Sequence, residues 1–306
     1  MSVYLTTIVL LILLGPILLS FIKALKMVLL FKKPISIFQG YRNLSKLMQK
    51  ETIISNETSS VTRFAPFLVM SPLLLTVFFL PPVVHGAFYV SFVDAFTITG
   101  LISLSTFFLM LLGLDSASAF GGMGSSREAF ISALVEPAMV LTLFSISMMA
   151  GNLGLAQAGV NLASHFPKEH MASFLFAGIS FFILLIAENG RIPVDNTETH
   201  LELTMIHEAM ILDLTGIYLA IIEAAASVKF VIFASLFASL FIPFGMQYSM
   251  IVAIFLFIIK LFGIAAIIAI IEVNTAKLRF FKVPNLLGIA IVFAFLSLIT
   301  FYVLGA

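Results

Sequence analysis

Carboxylates and imidazoles are concentrated in one stretch of this 306-residue chain, from Glu188 to Gly216. The stretch contains six of the 15 acidic residues and two of the five histidines. They are Glu188, Asp195, Glu198, Glu202, Glu208 and Asp213, with His200 and His207. Carboxylates that share a cavity of low dielectric raise one another's pKa, so that some of them hold protons near neutral pH. The stretch is therefore a candidate proton relay.

Two other interpretations of the acidic stretch stay open. His200, Glu202, His207 and Glu208 could chelate a metal, but the H-E-x-x-H spacing of a zinc site is absent, so metal binding is the weaker interpretation and no metal site is assigned. A solvated acidic loop without chemistry is the other alternative. Pro193 interrupts any helix after Arg191. A helix that resumes beyond it would bring Asp195, Glu198 and Glu202 near one another.

The acidic stretch lies between segments that are apolar enough to enter lipid. The chain is 61% hydrophobic and 10% charged with a mean hydropathy of +1.17, whereas a soluble domain is about 25% charged. Eight apolar runs have the length of membrane-spanning helices. They cover residues 3–25, 64–84, 93–114, 128–150, 171–188, 214–241, 249–271 and 286–304. The prediction is an all-α, polytopic protein of about eight transmembrane helices, with residues 1–306 as a single transmembrane domain.

The absence of cysteine excludes disulfides and thiolate-ligated iron–sulfur clusters from this chain. Any electron carrier must then belong to another subunit, so we expect no cofactor and no complete active centre in this chain alone. The net charge of +1 gives no reason to expect nucleic acid as a partner. The lipid bilayer is the partner that composition implies.

Lysine and arginine predict the orientation of the eight spans. Thirteen of the 16 basic residues fall in four connections on one side of the eight-span arrangement. An excess of basic residues marks the cytoplasmic side of a membrane protein. The acidic loop of residues 188–213 and the basic loop of residues 32–63 are therefore predicted to be cytoplasmic. Both termini are then on the outer side.

The loop after the first span has two helical stripes, one apolar and one basic. The apolar stripe is Ile37, Tyr41, Leu44 and Leu47, and the basic stripe is Arg42, Lys46 and Lys50. This pattern predicts an amphipathic helix on the inner interface. It is either a docking surface for a partner subunit or a solvated basic loop. The glycine-rich segment 113–128 is predicted to be a flexible loop on the same side.

Five ionisable residues inside the predicted spans are candidates for chemistry, because a charge in a span costs about 2.5–3.5 kcal/mol on insertion scales. Glu128 and Glu136 are eight residues apart, so they share one face of the fourth span at two depths. Glu223 and Lys229 are six apart on different faces, so each needs a partner on another helix or a wet cavity. Lys260 lies midway along the seventh span. Buried ion pairs or hydrogen bonds to neighbouring helices are the alternatives to proton transfer.

Three segments together resemble a known family. AENGRIPVD at 187–195, followed by acidic residues and DLTG at 213–216, resembles the AE(T/N)xRxPFD…EYSG loop of complex I membrane subunit 1. HLELTMIHEAM at 200–210 and SREAFISALVEPAMV at 126–140 are similar to hydrogenase-4 component C and to formate hydrogenlyase-type membrane subunits of group 4 nickel–iron hydrogenases. The resemblance covers nearly the whole chain and is closest to the hydrogenase branch.

The resemblance implies a subunit of a membrane-bound oxidoreductase complex. Such a subunit anchors a soluble redox arm and couples its electron transfer to the translocation of protons or sodium. The implied partners are soluble hydrogenase-like or quinone-reductase-like subunits with iron–sulfur clusters, one with a nickel–iron centre, and antiporter-like membrane subunits. The implied location is the cytoplasmic (inner) membrane of a prokaryote. The alternative is a quinone-binding subunit of an NADH:quinone oxidoreductase-type complex.

The candidate site residues form two groups. The proton path is predicted to use Glu188, Asp195, Glu198, Glu202, Glu208, Asp213, Glu136, Glu128, Glu223, Lys229 and Lys260. The predicted docking residues for a partner are Arg42, Lys46 and Arg191.

Overall fold

The computed structural model describes residues 2–54, 58–84, 90, 93–166, 168–195 and 205–304, and this part of the chain is helical without strands. Eleven α-helices are described: α1 Ser2–Leu29, α2 Gln39–Met48, α3 Val61–Phe78, α4 Ala95–Asp115, α5 Ala119–Met149, α6 Leu155–Ser164, α7 Met171–Glu188, α8 His207–Ile211, α9 Gly216–Leu240, α10 Met250–Asn274 and α11 Val283–Leu304. Eight of them are long and apolar enough to cross a membrane, namely α1, α3, α4, α5, α7, α9, α10 and α11. The predicted eight-span membrane fold is confirmed.

The spans pack as one bundle in which α5 and α9 are central. The α9 helix contacts α1, α3, α7 and α10, and α5 contacts α4, α7 and α11. Aromatic rings fill the junction of α7 and α9, where the Phe181 centroid lies 5.5 Å from that of Phe241. Hydroxyl groups add hydrogen bonds between spans, such as the 2.9 Å contact of Thr142 on α5 with Ser180 on α7. Such bonds matter in a bundle whose lipid-facing surface gains little from the hydrophobic effect.

The connections after the first, third, fifth and seventh spans meet at one end of the bundle. The backbone N–H of Ile53 donates to the Thr215 hydroxyl at 2.8 Å, and that of Thr62 to Asp115 at 3.0 Å. The N–H of Leu278 donates to the carbonyl of Pro193 at 2.8 Å. Since these connections share an end, the start of α1 at Ser2 and the end of α11 at Leu304 lie at the opposite end. We call the first one the connection end.

The predicted flexible loop over residues 113–128 is wrong, because α5 begins at Ala119 rather than near Glu128. The Ser118 side chain caps the helix by accepting from the N–H of Gly121 at 3.1 Å. The glycines here serve close packing. A Cβ on Gly124 would lie 2.9 Å from the carbonyl oxygen of Ile206, just before α8. The helix is formed because small residues admit its neighbours, which outweighs the low helix propensity of glycine.

The amphipathic helix after the first span is present as α2. Its apolar side chains Tyr41, Leu44 and Leu47 are half-buried, whereas Ile37 precedes the helix and is exposed. The N–H of Gly40 donates to the hydroxyl of Ser20 at 2.8 Å. The α2 helix therefore lies against α1 while its basic face stays accessible.

Candidate functional site

A cavity of about 890 Å³ lies inside the bundle and reaches the connection end. Its walls come from eight helices and from the segment that follows α7. The ionisable residues in its lining are Glu128, Glu188, Asp195, Glu208, Glu223, His207, Lys23, Lys46, Lys50, Arg191 and Lys229. Five of the predicted carboxylates and Lys229 thus share one space, although they are distant in sequence.

Lys229 forms an ion pair across the cavity wall. Its ammonium nitrogen on α9 lies 2.6 Å from a carboxylate oxygen of Glu188 at the end of α7. It also contacts the hydroxyl of Thr106 on α4 at 3.4 Å. Glu128 and Glu136 on α5 act electrostatically on the same ammonium. One lysine thus faces three carboxylates from two other spans, in agreement with the prediction that its partner belongs to a different helix.

Asp195 links the segment after α7 to the start of α8 and to the connection between α10 and α11. One of its carboxylate oxygens accepts from the Lys277 ammonium at 2.6 Å. The other accepts from the backbone N–H groups of Ile206 and His207 at 3.2 and 3.3 Å. The side chain is 2% exposed in this ion pair. Three donors from two connections hold this side chain in one position, which suits a fixed anchor.

Sequence reasoning missed a buried charge cluster around Glu272. This residue lies near the end of α10 and is buried, with the Lys26 ammonium at 2.9 Å from one carboxylate oxygen and Arg191 at 3.4 Å from the other. The Arg191 guanidinium also lies 5.5 Å from the ring centroid of Phe230. The available signal was a carboxylate and a lysine that each lie near the inner end of an apolar run. Only the fold shows that these ends meet.

The two titratable residues that open α8 have shifted pKa values. Burial, together with the charges of Glu223 and Asp195, raises the pKa of Glu208 to about 7 against the opposing effect of Lys23. Burial lowers the pKa of His207 to about 4, as does Lys229, while Asp195 opposes this shift. At neutral pH, Glu208 exchanges a proton readily and the His207 imidazole is neutral.

Other predicted proton-path residues lie apart from the cavity lining. Glu136 is half-buried and does not line the cavity, but it is within electrostatic reach of Lys229. Asp213 is exposed and lines a small separate pocket near Thr62. Lys260 donates to the carbonyl oxygens of Ile242 and Phe244, beyond the end of α9. Glu198 and Glu202 lie outside the described residues.

The predicted docking residues divide between surface and interior. Arg42 is exposed on α2 and does not line the cavity. Lys46 is exposed on the same helix but faces the cavity. Arg191 is 8% exposed beside Glu272. Among the described residues, no group of three or more metal-ligating side chains is present. His200 and Glu202, two of the four candidate metal ligands in the acidic stretch, are outside this part of the chain.

An eight-span bundle with a charged cavity opening at one end defines a class of polytopic membrane proteins with an internal polar path. The sequence model of the NADH dehydrogenase family matches residues 8–303, and the chain belongs to this family. This agrees with the resemblance found in the acidic loop and in the fourth span.

Individual relatives cover most of the chain. Hydrogenase-4 component C of Escherichia coli (strain K12) is 32% identical over 68% of this chain and 65% of its own length. This alignment thus covers slightly less than two thirds of that relative. Formate hydrogenlyase subunit 4 of the same organism is 26% identical over 86% of both chains. A subunit of the NADH-quinone oxidoreductase of Rhizobium rhizogenes (strain K84 / ATCC BAA-868) is 29% identical over 56% of this chain and 52% of its own.

The fold also matches a solved structure. A chain of the membrane-bound sulfane sulfur reductase, an archaeal respiratory membrane complex, superposes with a TM-score of 0.83. The match covers 97% of this chain and 98% of that chain at 13% sequence identity. At this identity the likeness shows a shared fold, which here extends over the whole bundle.

Proposed function

We propose that this chain is an integral membrane subunit of a hydrogenase-type respiratory complex related to complex I. It anchors a soluble redox arm and couples the electron transfer of that arm to translocation of protons or sodium. The location is the cytoplasmic membrane of a prokaryote, with the connection end facing the cytoplasm. The redox centres, iron–sulfur clusters and a nickel–iron site, belong to partner subunits, and antiporter-like membrane subunits are further partners.

The cavity is the observation that carries this proposal. Five carboxylates, three of them in span helices, line one cavity together with Lys229, whose side chain is 14% exposed. A charge within a span is costly, so such groups mark ion paths and proton relays in membrane proteins. Relatives named as hydrogenase-4 component C and formate hydrogenlyase subunit 4 support the hydrogenase-type complex.

The proton path begins at Glu208 and passes Glu223 toward Lys229. Glu208 exchanges protons near neutral pH at the connection end, where a soluble arm would act on it. Lys229 then pairs with Glu188 and lies within electrostatic reach of Glu128 in the lining and of Glu136 outside it. Glu198 and Glu202 stay proposed members of the path.

Docking of the soluble arm is proposed at the connection end, with Arg42 of α2 as a contact residue. An exposed guanidinium binds carboxylates in a bidentate manner and suits an acidic partner surface. The placement of Lys46 at the cavity and of Arg191 beside Glu272 favours roles inside this chain for those two residues.

The test is to replace Glu128 by Gln in the intact complex and to measure ion pumping against redox turnover. The amide keeps the size of the side chain and removes its titratable proton. We expect the number of ions moved per electron to fall while electron transfer continues. Glu136→Gln tests in the same way the carboxylate of α5 that does not line the cavity. Unchanged pumping in both variants, with intact assembly, would remove the relay proposal for these residues.

Glu169→Gln is the matched control for these substitutions. Glu169 is exposed in the short helix Lys168–His170, at the end of the bundle opposite the cavity mouth. The same loss of one carboxylate there should leave the pumping ratio at the wild-type value. A general effect of net charge on assembly would appear in this variant as well.

A quinone-binding role in an NADH:quinone oxidoreductase-type complex is the second candidate. The cavity volume of about 890 Å³ lies within the range of small-molecule sites, and much of its wall is aliphatic. The relative from Rhizobium rhizogenes, named as part of an NADH-quinone oxidoreductase, supports it. A photoreactive quinone that labels residues such as Leu73 or Ile222 in the active complex would favour this role. Absence of labelling, together with insensitivity to quinone-site inhibitors, would count against it.

A further inference from the structure

The α2 wall of the cavity differs from the other walls in its charge. Its lining residues are Gln39, Gly40, Asn43, Leu44, Lys46 and Leu47, with Lys50 just after the helix. This side of the cavity contributes two lysines and no carboxylate. The acidic residues of the lining come instead from α5, α7, α8, α9 and the segment after α7.

Lys46 and Lys50 are not neutralised by this chain within its described part. Both side chains are exposed, and no described carboxylate lies within the 4 Å of an ion pair. Lys23 of α1 also lines the cavity but acts on Glu208 and Glu223, so much of its charge is compensated there. Among the described residues that line the cavity, the α2 side therefore presents two cations and no anion.

Apolar surface adjoins these two lysines. Leu44 and Leu47 of α2 and Leu19 of α1 line the same part of the cavity. The α2 helix lies close to α1, since a Cβ on Gly40 would be 2.6 Å from the carbonyl oxygen of Pro16, midway along that span. The junction therefore places cations next to aliphatic side chains, the two kinds of group that contact a lipid headgroup and its acyl chains.

We propose that the cavity mouth between α1 and α2 binds an anionic phospholipid of the surrounding membrane. Lys46 and Lys50 contact the phosphate of the headgroup, and the first acyl carbons lie on Leu19, Leu44 and Leu47. Basic pockets between membrane helices are a known means of binding anionic headgroups. Free phosphate would leave the leucines uncovered, and a neutral amphiphile would leave the lysines unpaired. None of the proton-path carboxylates takes part in this binding, so it is measured separately from ion pumping.

The experiment uses the whole complex in phosphatidylcholine vesicles that contain a minor share of phosphatidylglycerol with a photoactivatable group near the headgroup. Peptide mapping after illumination should place adducts on α2 and on α1 near Leu19. Lys46→Gln with Lys50→Gln should lower adduct yield about tenfold or more. Lys46→Arg with Lys50→Arg should retain it, because the charge is kept.

Lys32→Gln with Lys33→Gln is the matched control. These two lysines are exposed in the same connection and do not line the cavity, so the net charge changes equally. Three results would overturn the proposal: equal adduct yields with the phosphatidylcholine analogue, equal losses in the control, or full competition by inorganic phosphate. If the glutamine double variant does not assemble, competition between unlabelled phosphatidylglycerol and phosphatidylcholine on the wild-type complex decides the question in the same way.

Discussion

The ammonium nitrogen of Lys229 lies 2.6 Å from a carboxylate oxygen of Glu188, so the sixth span and the end of the fifth share a buried ion pair. The two side chains are 14% and 5% exposed. In a pair with so little exposure to water, each charge compensates the other, because either charge alone would be unfavourable to bury. The contact also places a cation in reach of Glu128 and Glu136. A change of charge at one carboxylate is thereby felt at the others.

Removal of both partners of this pair should cost less than the sum of the two single removals. Lys229→Met leaves a buried carboxylate and Glu188→Gln leaves a buried ammonium, so we expect each to lower the free energy of unfolding by about 3–5 kcal/mol. The double variant should lose clearly less than the sum. Thermal or denaturant unfolding of the purified complex measures the cycle. Thr106→Val, which removes the 3.4 Å contact with Lys229 and the 3.2 Å hydrogen bond from the Thr106 hydroxyl to the carbonyl oxygen of Ile102, should cost about 1 kcal/mol. Additive losses in the cycle would contradict the pairing.

Titration of Glu208 should appear in the stability of the protein. The pKa of this carboxyl is raised to about 7 from its ordinary value of 4.5. Between these values the unfolded chain has lost the proton and the folded chain retains it, so stability falls as the pH rises through this window. Glu208→Gln removes this effect. The melting temperature of the variant relative to wild type should therefore increase from about pH 4.5 to pH 7 and level off above it.

Glu51→Gln is the comparison for this pH series, since Glu51 is an exposed carboxylate at the same end of the bundle. Its difference from wild type should not follow the profile of Glu208→Gln. Parallel profiles for the two variants would show that net charge, and not the buried position of Glu208, is responsible.

Neutralisation of Glu272 should be among the most destabilising single changes in the charge cluster behind the cavity. Glu272→Gln leaves Lys26 and Arg191 buried without their shared carboxylate, with an expected loss of about 3–5 kcal/mol. Lys26→Met leaves the carboxylate with its arginine and should cost less. Yield of assembled complex and melting temperature are the measurements. A mild effect of Glu272→Gln beside a severe effect of Lys26→Met would reverse the proposed order.

Lys260 is expected to be a structural cation and not part of the ion path. Its ammonium donates to the carbonyl oxygens of Ile242 and Phe244, at the negative end of the α9 dipole. Lys260→Met should lower the free energy of unfolding by about 1–2 kcal/mol. Ions moved per electron should stay at the wild-type value in the assembled complex. A lower ratio with unchanged stability would return Lys260 to the proton path.

Hydropathy alone determined the number and order of the spans, because lipid requires a continuous helical run of fixed length wherever the backbone crosses it. The same reasoning failed at residues 113–128. Glycine there indicated a loop, yet Gly124 accommodates the carbonyl of Ile206 so that α8 packs on α5. Propensity is a local property, whereas close packing depends on a neighbour that is 82 positions away in the chain.

The acidic residues show the same division between sequence and tertiary structure. Their types and their density between spans identified the stretch from Glu188 to Gly216 as the candidate functional site, because a charge near lipid has a high free-energy cost. Sequence could not show that Asp195 binds Lys277, that Asp213 is outside the cavity, or that Glu272 compensates Arg191. Such pairings depend on which helix ends meet. The packing of the bundle determines this, since it brings four connections to one end and thereby sets which charges become partners.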